Sequence, residues 1–200
     1  MAAPLVYIFD LDGTLVESVD AHIGAWIEAL ELIGIKKRRE ELAPLMGLPA
    51  LEIARRIAPQ RAEELARIKN KLFLEKYLGA VRAYDDAAVL SRLPRPIAVV
   101  TSASGYVARE ILKATGLAEY VDLVVGGDEV PRGKPAPDPL YLVARRFGVP
   151  PSEMVVVGDS EYDIEMAKNA GALGVCIARR GVPCRGAHRV ISTLFQLLGI

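Results

Sequence analysis

Five short apolar runs, rich in β-branched residues, most constrain what this chain can fold into. Near-continuous hydrophobicity over so few residues is typical of strands covered on both faces, as in a parallel sheet. The runs span residues 5–9, 97–101, 121–125, 154–159 and 174–178. Helical patterns between the later runs end in glycines that favour a left-handed C-terminal cap, namely Gly116, Gly148 and Gly171. This alternation predicts an α/β fold with a doubly wound parallel sheet.

The segment from about Val16 to about Arg82 breaks this alternation. It contains no convincing strand, and its apolar residues recur at the three- and four-residue spacing of amphipathic helices, for example from Val19 to Leu30. We therefore expect an all-helical insertion at 16–82. The core would then consist of residues 1–15 and 83–200.

The overall composition does not indicate a nucleic-acid or membrane partner. The 200 residues include 25 basic and 25 acidic side chains, so the formal net charge of zero gives no reason to expect a nucleic acid or an anionic membrane. No apolar run approaches the roughly 18 residues that span a bilayer, and the first ten residues lack the features of a signal peptide. We expect a cytoplasmic protein, and no sequence feature indicates its oligomeric state.

The two cysteines, Cys176 and Cys184, are separated from any CxxC or Cys/His cluster. The sequence therefore predicts neither a zinc site nor a disulfide framework. We expect Cys176 to be a small buried hydrophobic residue and Cys184 to lie in a loop. A bond between them is compatible with the sequence but unsupported by it.

Polar side chains follow four of the apolar runs, at the sheet edge where open parallel sheets bind ligands. They are Asp10 and Asp12 after the first run, Thr101 and Ser102 after the second, Lys134 after the third, and Asp159 and Asp163 after the fourth. Clustered carboxylates repel each other unless a cation compensates them, and Mg²⁺ prefers oxygen ligands. The pattern predicts a Mg²⁺ site in which Asp159 and Asp163 secure the ion.

The same residue types suit phosphoryl transfer. A carboxylate can attack a phosphoryl group and form an aspartyl phosphate, and we assign this role to Asp10. Asp12 lies two residues on, hence on the same side of the strand, and is predicted to act as general acid and then as general base. Donors for the phosphoryl oxygens would come from Thr101, Ser102 and Lys134.

The motifs DLDGTL, VVTSAS, GKPAPD and VGDSEYDIEMAKNAG, in this order, resemble those of the haloacid dehalogenase-like hydrolase superfamily. The helical insertion resembles its subfamily I cap, as in phosphoglycolate phosphatases and β-phosphoglucomutases. The resemblance implies a Rossmann-like core, a mobile cap, Mg²⁺ dependence and an aspartyl-phosphate intermediate. It also implies metal binding by Asp10, by the backbone carbonyl of Asp12 and by Asp159, with Asp163 at the second acidic position of the last motif. Family dehalogenases carry another residue at the second Asp, so Asp12 argues against dehalogenation.

His22 and Lys69 leave the type of phosphoryl transfer open. Their local patterns match positions where β-phosphoglucomutases carry a cap histidine and a cap lysine, which favours a mutase. Against it, the mutase has a Glu-Asp pair where this chain has Gly158 and Asp159, and its substrate-binding cap arginine has no evident counterpart. By their local sequence alone, we expect His22 to be structural or solvated and Lys69 to be exposed.

The sequence thus predicts a Mg²⁺-dependent phosphatase of a small phosphorylated metabolite, with phosphoglycolate or a sugar phosphate as substrate. A β-phosphoglucomutase-like phosphomutase is the alternative. A phosphoreceiver domain is disfavoured because a receiver is shorter and has no large helical insertion, and a catalytically silent binding protein because every chemical group is present. Candidate cap ligands for a second anionic group on the substrate are Lys69, Arg55 and Arg56.

Overall fold

The computed structural model describes residues 6–179 and 181–199. Its strands are β1 Val6–Phe9, β2 Val16–Glu17, β3 Arg82–Ala83, β4 Ile97–Val100, β5 Leu123–Val125, β6 Met154–Gly158, β7 Leu173–Ile177 and β8 Arg189–Ile191. Its α-helices are α1 Val19–Leu32, α2 Arg39–Leu42, α3 Ala50–Ile57, α4 Ala62–Leu72, α5 Gly105–Ala114, α6 Asp138–Phe147 and α7 Glu161–Ala170. Shorter helical turns include a π-helical segment at Phe73–Tyr77 and 3₁₀ helices at Asp85–Arg92 and Leu194–Gly199.

Six of the strands form one parallel sheet in the order β5-β4-β1-β6-β7-β8. The first strand is central, since Ile8 pairs with Ala98 on one side and with Val156 on the other. The predicted α/β fold is confirmed, and the five apolar runs are strands whose ends differ by one or two residues from the predicted ones. Leu5, in the first predicted run, lies outside the described residues.

Side chains of β1 alternate between two hydrophobic clusters, one on each face of the sheet. Tyr7 and Phe9 belong to one cluster, and Val6 and Ile8 to the other. All four are buried, which explains why the sequence of this strand is apolar without alternation. The carboxyl end of the strand, at Asp10, is therefore held rigidly from both faces.

The four helices α1 to α4 lie between β1 and β4 in sequence and share a hydrophobic cluster of their own. Trp26, Leu30 and Leu65 are among its buried members. The chain enters and leaves this region through β2 and β3, which pair antiparallel with Val16 opposite Ala83. The expectation of no strand here is wrong at these two junctions, because two residues are too few to show a period. Within the described part of the chain, no helix is long and apolar enough to cross a membrane.

The tail after β7 differs from the prediction in one respect. Cys176 of β7 and Cys184 in the following loop form a disulfide bond. The expectation that Cys176 is merely a buried hydrophobic residue is therefore wrong. The loop turns back at Gly181, which has a φ of +73° and donates to the carbonyl of Ala178, and this turn returns Cys184 to the strand. After this loop the chain forms β8 and the last 3₁₀ helix.

Candidate active site

A cavity of about 210 Å³ lies between the carboxyl ends of the strands and the helices α1 to α4. The predicted core residues that line it are Asp10, Asp12, Thr101, Ser102, Lys134 and Asp159, and the predicted cap residues that line it are His22 and Lys69. Asp163 is buried behind this wall, with 1 % of its surface exposed. The topology of the sheet therefore brings the motifs together from four separate parts of the sequence.

Lys134 connects two buried carboxylates. Its Nζ donates to Asp10 Oδ1 and to Asp163 Oδ1, each at 2.6 Å. Burial alone would lower the pKa of Lys134, but the two carboxylates outweigh burial and raise it. The pKa of Asp10 is raised well above its ordinary value by burial, against the opposing effect of Lys134. The ammonium group thus stays charged beside the predicted nucleophile.

Three carboxylates form a cluster that can hold a metal ion. Asp10, Asp159 and Asp163 each offer one oxygen, and these atoms lie within 4.8 Å of one another. A donor set made only of oxygen atoms fits a hard divalent cation such as Mg²⁺. Gly13 permits the arrangement: its φ is +87°, and a Cβ there would lie 2.4 Å from Asp159 Oδ2. The residues present therefore fit the metal that the motifs predict.

Asp163 is fixed by the start of α7. The Asp163 backbone N–H donates to Ser160 Oγ at 3.4 Å and the Ser160 backbone N–H donates to Asp163 Oδ2 at 3.2 Å, which together form a capping box. Ser160 Oγ also donates to Asp163 Oδ2 at 2.6 Å. Gly158 lies directly against this carboxylate, since a Cβ there would lie 2.3 Å from Asp163 Cγ. A larger residue at 158 is therefore incompatible with Asp163 in this position.

The carboxylate of Asp12 lies apart from that cluster. Its Oδ1 accepts from Ser18 Oγ at 2.5 Å and contacts His22 Nε2 at 3.0 Å, and its Oδ2 accepts from Thr101 Oγ1 at 3.4 Å. Burial alone would raise the pKa of Asp12, but His22, Ser18 and Lys69 outweigh burial and lower it to about 2. Asp12 is therefore ionised in this arrangement. Ser18 was not predicted, because a serine after an apolar run carries no signal of its own.

His22 on α1 and Lys69 on α4 join these two helices to Asp12. Lys69 Nζ lies 2.9 Å from His22 Nδ1, and it also lies 5.8 Å from the ring centre of Trp26 and 5.1 Å from that of Phe73. The expectation of an exposed Lys69 is wrong, because α1 packs against α4 and leaves Lys69 4 % exposed. His22 is 7 % exposed, which agrees with the structural alternative and not with the solvated one. Burial lowers the pKa of Lys69 to about 8. An ammonium group only donates, so Nδ1 accepts and Nε2–H donates to Asp12.

The two hydroxyls after β4 have different surroundings. Thr101 Oγ1 accepts from the Ala103 backbone N–H at 3.0 Å and donates to Asp12. Ser102 Oγ is buried, lines the cavity and has no hydrogen-bond partner among the described residues. Buried hydroxyls are rarely left unpaired without a reason. The Ser102 hydroxyl is therefore available to a ligand in the cavity, whereas the Thr101 hydroxyl is bonded to Asp12.

Arg179 supports the first motif from outside the cavity, a role that its sequence does not indicate. Its guanidinium donates to the backbone carbonyl of Thr14 at 2.6 Å and to Asp86 at 2.7 and 2.9 Å. Thr14 Oγ1 in turn donates to Asp159 Oδ1 at 3.5 Å. The loop after β7 thus helps to position two acidic motifs.

Comparison with known proteins agrees with this geometry. The sequence matches the family of haloacid dehalogenase-like hydrolases over residues 7–177. Fructose-1-phosphate phosphatase YqaB of Escherichia coli (strain K12) is 34% identical over 171 residues, which covers 82% of this chain and 91% of that protein. Phosphoglycolate phosphatase of the same strain is 36% identical over 198 residues, with coverage of 84% and 78%.

Solved structures show the same architecture. A predicted phosphoglycolate phosphatase from Haemophilus somnus 129PT superposes with a TM-score of 0.87 at 24% identity over 100% of this chain and 98% of that one, which shows a shared fold. CbbY from Rhodobacter sphaeroides, in complex with xylulose-(1,5)bisphosphate, superposes with a TM-score of 0.82 at 27% identity over 94% of each chain. The motifs, the fold and the curated relatives agree, and the chain therefore belongs to the haloacid dehalogenase-like hydrolase family, as one of its phosphatases.

Proposed function

We propose that this phosphatase is Mg²⁺-dependent and hydrolyses small phosphomonoesters through an aspartyl phosphate on Asp10. The observation that carries the proposal is the position of Asp10, which lies on the cavity wall, accepts a hydrogen bond from Lys134 and belongs to the acidic cluster. The relatives named for phosphoglycolate and for fructose 1-phosphate support a small carboxylate-bearing or sugar phosphate as substrate. A cytoplasmic location and the absence of a nucleic-acid or membrane partner are part of the same proposal.

In the first step, Asp10 attacks phosphorus and the bond from phosphorus to the substrate oxygen breaks. Mg²⁺, when bound by Asp10, Asp159, Asp163 and the backbone carbonyl of Asp12, would supply positive charge that keeps the carboxylates ionised. Lys134 and the Ser102 hydroxyl donate to the phosphoryl oxygens, where negative charge develops. The leaving oxygen takes a proton from Asp12, which holds one in this step.

In the second step, a water molecule attacks the phosphorus of the aspartyl phosphate. Asp12 removes the proton from this water, phosphate leaves, and the Asp10 carboxylate is regenerated. The contacts of Asp12 with His22 and Ser18 favour its ionised form, which is the form that this step needs. In the first step the negative charge of the bound phosphoryl group adds to burial, opposes those contacts and favours the protonated form of Asp12.

The cap has a role in both steps. We propose the division of the chain into a core of 1–15 and 83–200 and a cap of 16–82, with the cap closing to exclude bulk water during attack. His22 already contacts Asp12, and Lys69 contacts His22, so the structure corresponds to the closed arrangement. Opening would admit water and release the product.

A phosphomutase is the second candidate, because His22 and Lys69, whose positions match two cap residues of the mutase, lie in the site and are linked to Asp12. Hydrolysis is favoured by Gly158. A glutamate at this position, as the mutase carries, would collide with Asp163, which is buried and bonded to Lys134. The acidic cluster of this chain therefore uses Asp163 in place of a glutamate at position 158.

The test is phosphate release, with and without Mg²⁺, from phosphoglycolate, several sugar phosphates and an aryl phosphate. Asp10→Asn and Asp12→Ala should abolish turnover, whereas the exposed Asp85→Asn should not change it. Release by wild type that needs both Mg²⁺ and Asp10 supports the proposal. Full activity in Asp10→Asn would contradict the mechanism, and a folded wild type that only isomerises a sugar phosphate, given a bisphosphate primer, would identify a mutase.

A further inference from the structure

The cap presents an apolar wall to the cavity, interrupted by three basic side chains. The wall includes Ile23 and Trp26, and the basic residues are His22, Lys69 and Arg39. His22 and Lys69 are already bonded to each other and to Asp12. Arg39, at the start of α2, is therefore the basic lining residue of the cap that the catalytic groups do not use. Neither Arg55 nor Arg56, the predicted candidates for this role, lines the cavity.

Among the described residues, the Arg39 side chain has one bonded partner, which another anion can replace. Its guanidinium donates to Asp20 in the first turn of α1, and the two side chains are 52 % and 76 % exposed. Such exposed ion pairs contribute little to stability, so exchange of Asp20 for another anion is energetically easy. Asp20 does not line the cavity. The guanidinium can therefore leave Asp20 and bind a group inside.

We propose that Arg39 binds a second anionic group of the substrate, at the end opposite the reacting phosphoryl group. This inference rests on the proposed phosphatase function and names its substrate class: compact phosphomonoesters with a carboxylate or a second phosphate at the far end. Arginine suits both anions because its planar fork donates two parallel hydrogen bonds. The apolar wall at Trp26 would cover the carbon skeleton between the two ends, and a few polar groups in such a wall fix the orientation of a ligand.

The experiment compares kcat/KM for two matched pairs of substrates. In the first pair, phosphoglycolate carries a carboxylate where 2-hydroxyethyl phosphate carries a neutral hydroxymethyl group. In the second, fructose 1,6-bisphosphate carries a second phosphate that fructose 1-phosphate lacks. Wild type should prefer the anionic member of at least one pair. Arg39→Gln should reduce that preference about 10- to 100-fold, mainly through KM, which is the scale of a charged hydrogen bond. The pair that responds identifies the anion.

Arg38→Gln is the matched control. Arg38 precedes Arg39, is 82 % exposed on its side chain and does not line the cavity, so the preference should stay as in wild type. Three results would overturn the inference: no preference in wild type, a preference unchanged in Arg39→Gln, or an equal loss in Arg38→Gln. Hydrolysis of the aryl phosphate is measured as a separate test of the proposed function. If that reaction does not depend on Asp10, the proposed function has failed, whereas an Asp10-dependent reaction with an Arg39-independent preference disproves this inference alone.

Discussion

Lys69 on α4 and His22 on α1 are joined by a buried hydrogen bond of 2.9 Å between Nζ and Nδ1. The other ring nitrogen of His22 reaches Asp12, so this bond extends from the helical insertion to a carboxylate at the end of β1. The position of the insertion is thereby coupled to the ionisation and orientation of Asp12. Changes at Lys69 should consequently affect activity and stability in opposite directions.

Lys69→Met should lower kcat while raising stability. The methionine removes the donor that fixes the His22 tautomer, and we expect a loss of about 10- to 100-fold, typical of impaired general acid–base catalysis. The folded pKa of about 8 lies below the ordinary 10.5, so the charged lysine disfavours folding at neutral pH. This penalty is fully present below pH 8 and disappears as the pH rises toward 10.5. Thermal unfolding at several pH values should show a stabilised variant whose advantage shrinks above pH 8.

Lys71→Met provides the control for that experiment, because Lys71 lies on the same helix with its side chain 68 % exposed. It should change neither kcat nor the pH dependence of unfolding. Wild-type kcat should also fall above pH 8 as Lys69 loses its proton. A Lys69→Met variant that retains this alkaline fall would show that another group causes it.

Ser102→Ala should impair phosphate release without destabilising the protein. The hydroxyl has no partner to lose, and removal of an unpaired buried polar group is neutral or stabilising. A lost donor to a developing oxyanion should reduce kcat by about 100-fold. Kinetics and urea unfolding of the same preparation test both parts. Thr101→Val is the contrast, since it removes bonds to Asp12 and Ala103 and should lower stability as well. Full activity in Ser102→Ala would exclude a role in phosphate binding.

Reduction of the disulfide should weaken the fold. Cys176 and Cys184 are separated by 8 positions, and closing so short a loop stabilises a protein by about 2.5 kcal/mol in the chain-entropy description. Urea unfolding with and without a dithiol reductant should show a difference of this size. The double variant Cys176→Ala and Cys184→Ala should resemble the reduced protein and be insensitive to the reductant. Equal stability of oxidised and reduced wild type would contradict this prediction.

Asp86→Asn should destabilise the protein in a pH-dependent way. Burial would raise the pKa of Asp86, but hydrogen bonds from Arg179, the Leu194 backbone and Thr193 outweigh it and lower the pKa. A lowered carboxyl pKa stabilises the fold above the ordinary value of 3.8, and this stabilisation is lost as the pH falls through the folded pKa. We expect a loss of about 1–3 kcal/mol at pH 7.

The measurement for Asp86→Asn is urea unfolding between pH 3 and pH 7. The difference between variant and wild type should be largest at pH 7 and should shrink at the acidic end. The exposed neighbour Asp85→Asn should show no comparable difference. A constant difference across this range would mean that the ionised form of Asp86 is not what stabilises the fold.

The sheet and most of the site were predictable because each rests on a short stretch of sequence. A strand buried on both faces must be apolar throughout, and the end of a parallel strand faces the ligand crevice. Asp10 and Asp159 are thus placed by their own strands, β1 and β6. Their meeting requires only that the two strands be neighbours, which the alternation of strands and helices favours.

The features that sequence reasoning missed depend on contacts between distant segments. From the sequence alone, Lys69 resembles an exposed lysine and Ser18 a linker residue. Their roles depend on the packing of α4 against α1, which brings Lys69 to His22, and on the contact between Ser18 and the Asp12 side chain. The contacts of Arg179 and the disulfide bond depend on the path of the loop after β7. The path of a loop leaves no periodic pattern in the sequence. The strands β2 and β3 have two residues each, which is too few to produce a recognisable hydrophobic pattern in the sequence.

The central place of β1 has a consequence for how the chain folds during synthesis. The strand is complete at Phe9, but its two neighbours begin only at Ile97 and Met154. The helices α1 to α4, in contrast, find the members of their own hydrophobic cluster within residues 19–72. On the ribosome the insertion can therefore acquire its structure first, while the apolar β1 has no partner strand until β4 has been synthesised. During that interval β1 is an unpaired apolar segment, of the kind that promotes aggregation and that chaperones protect.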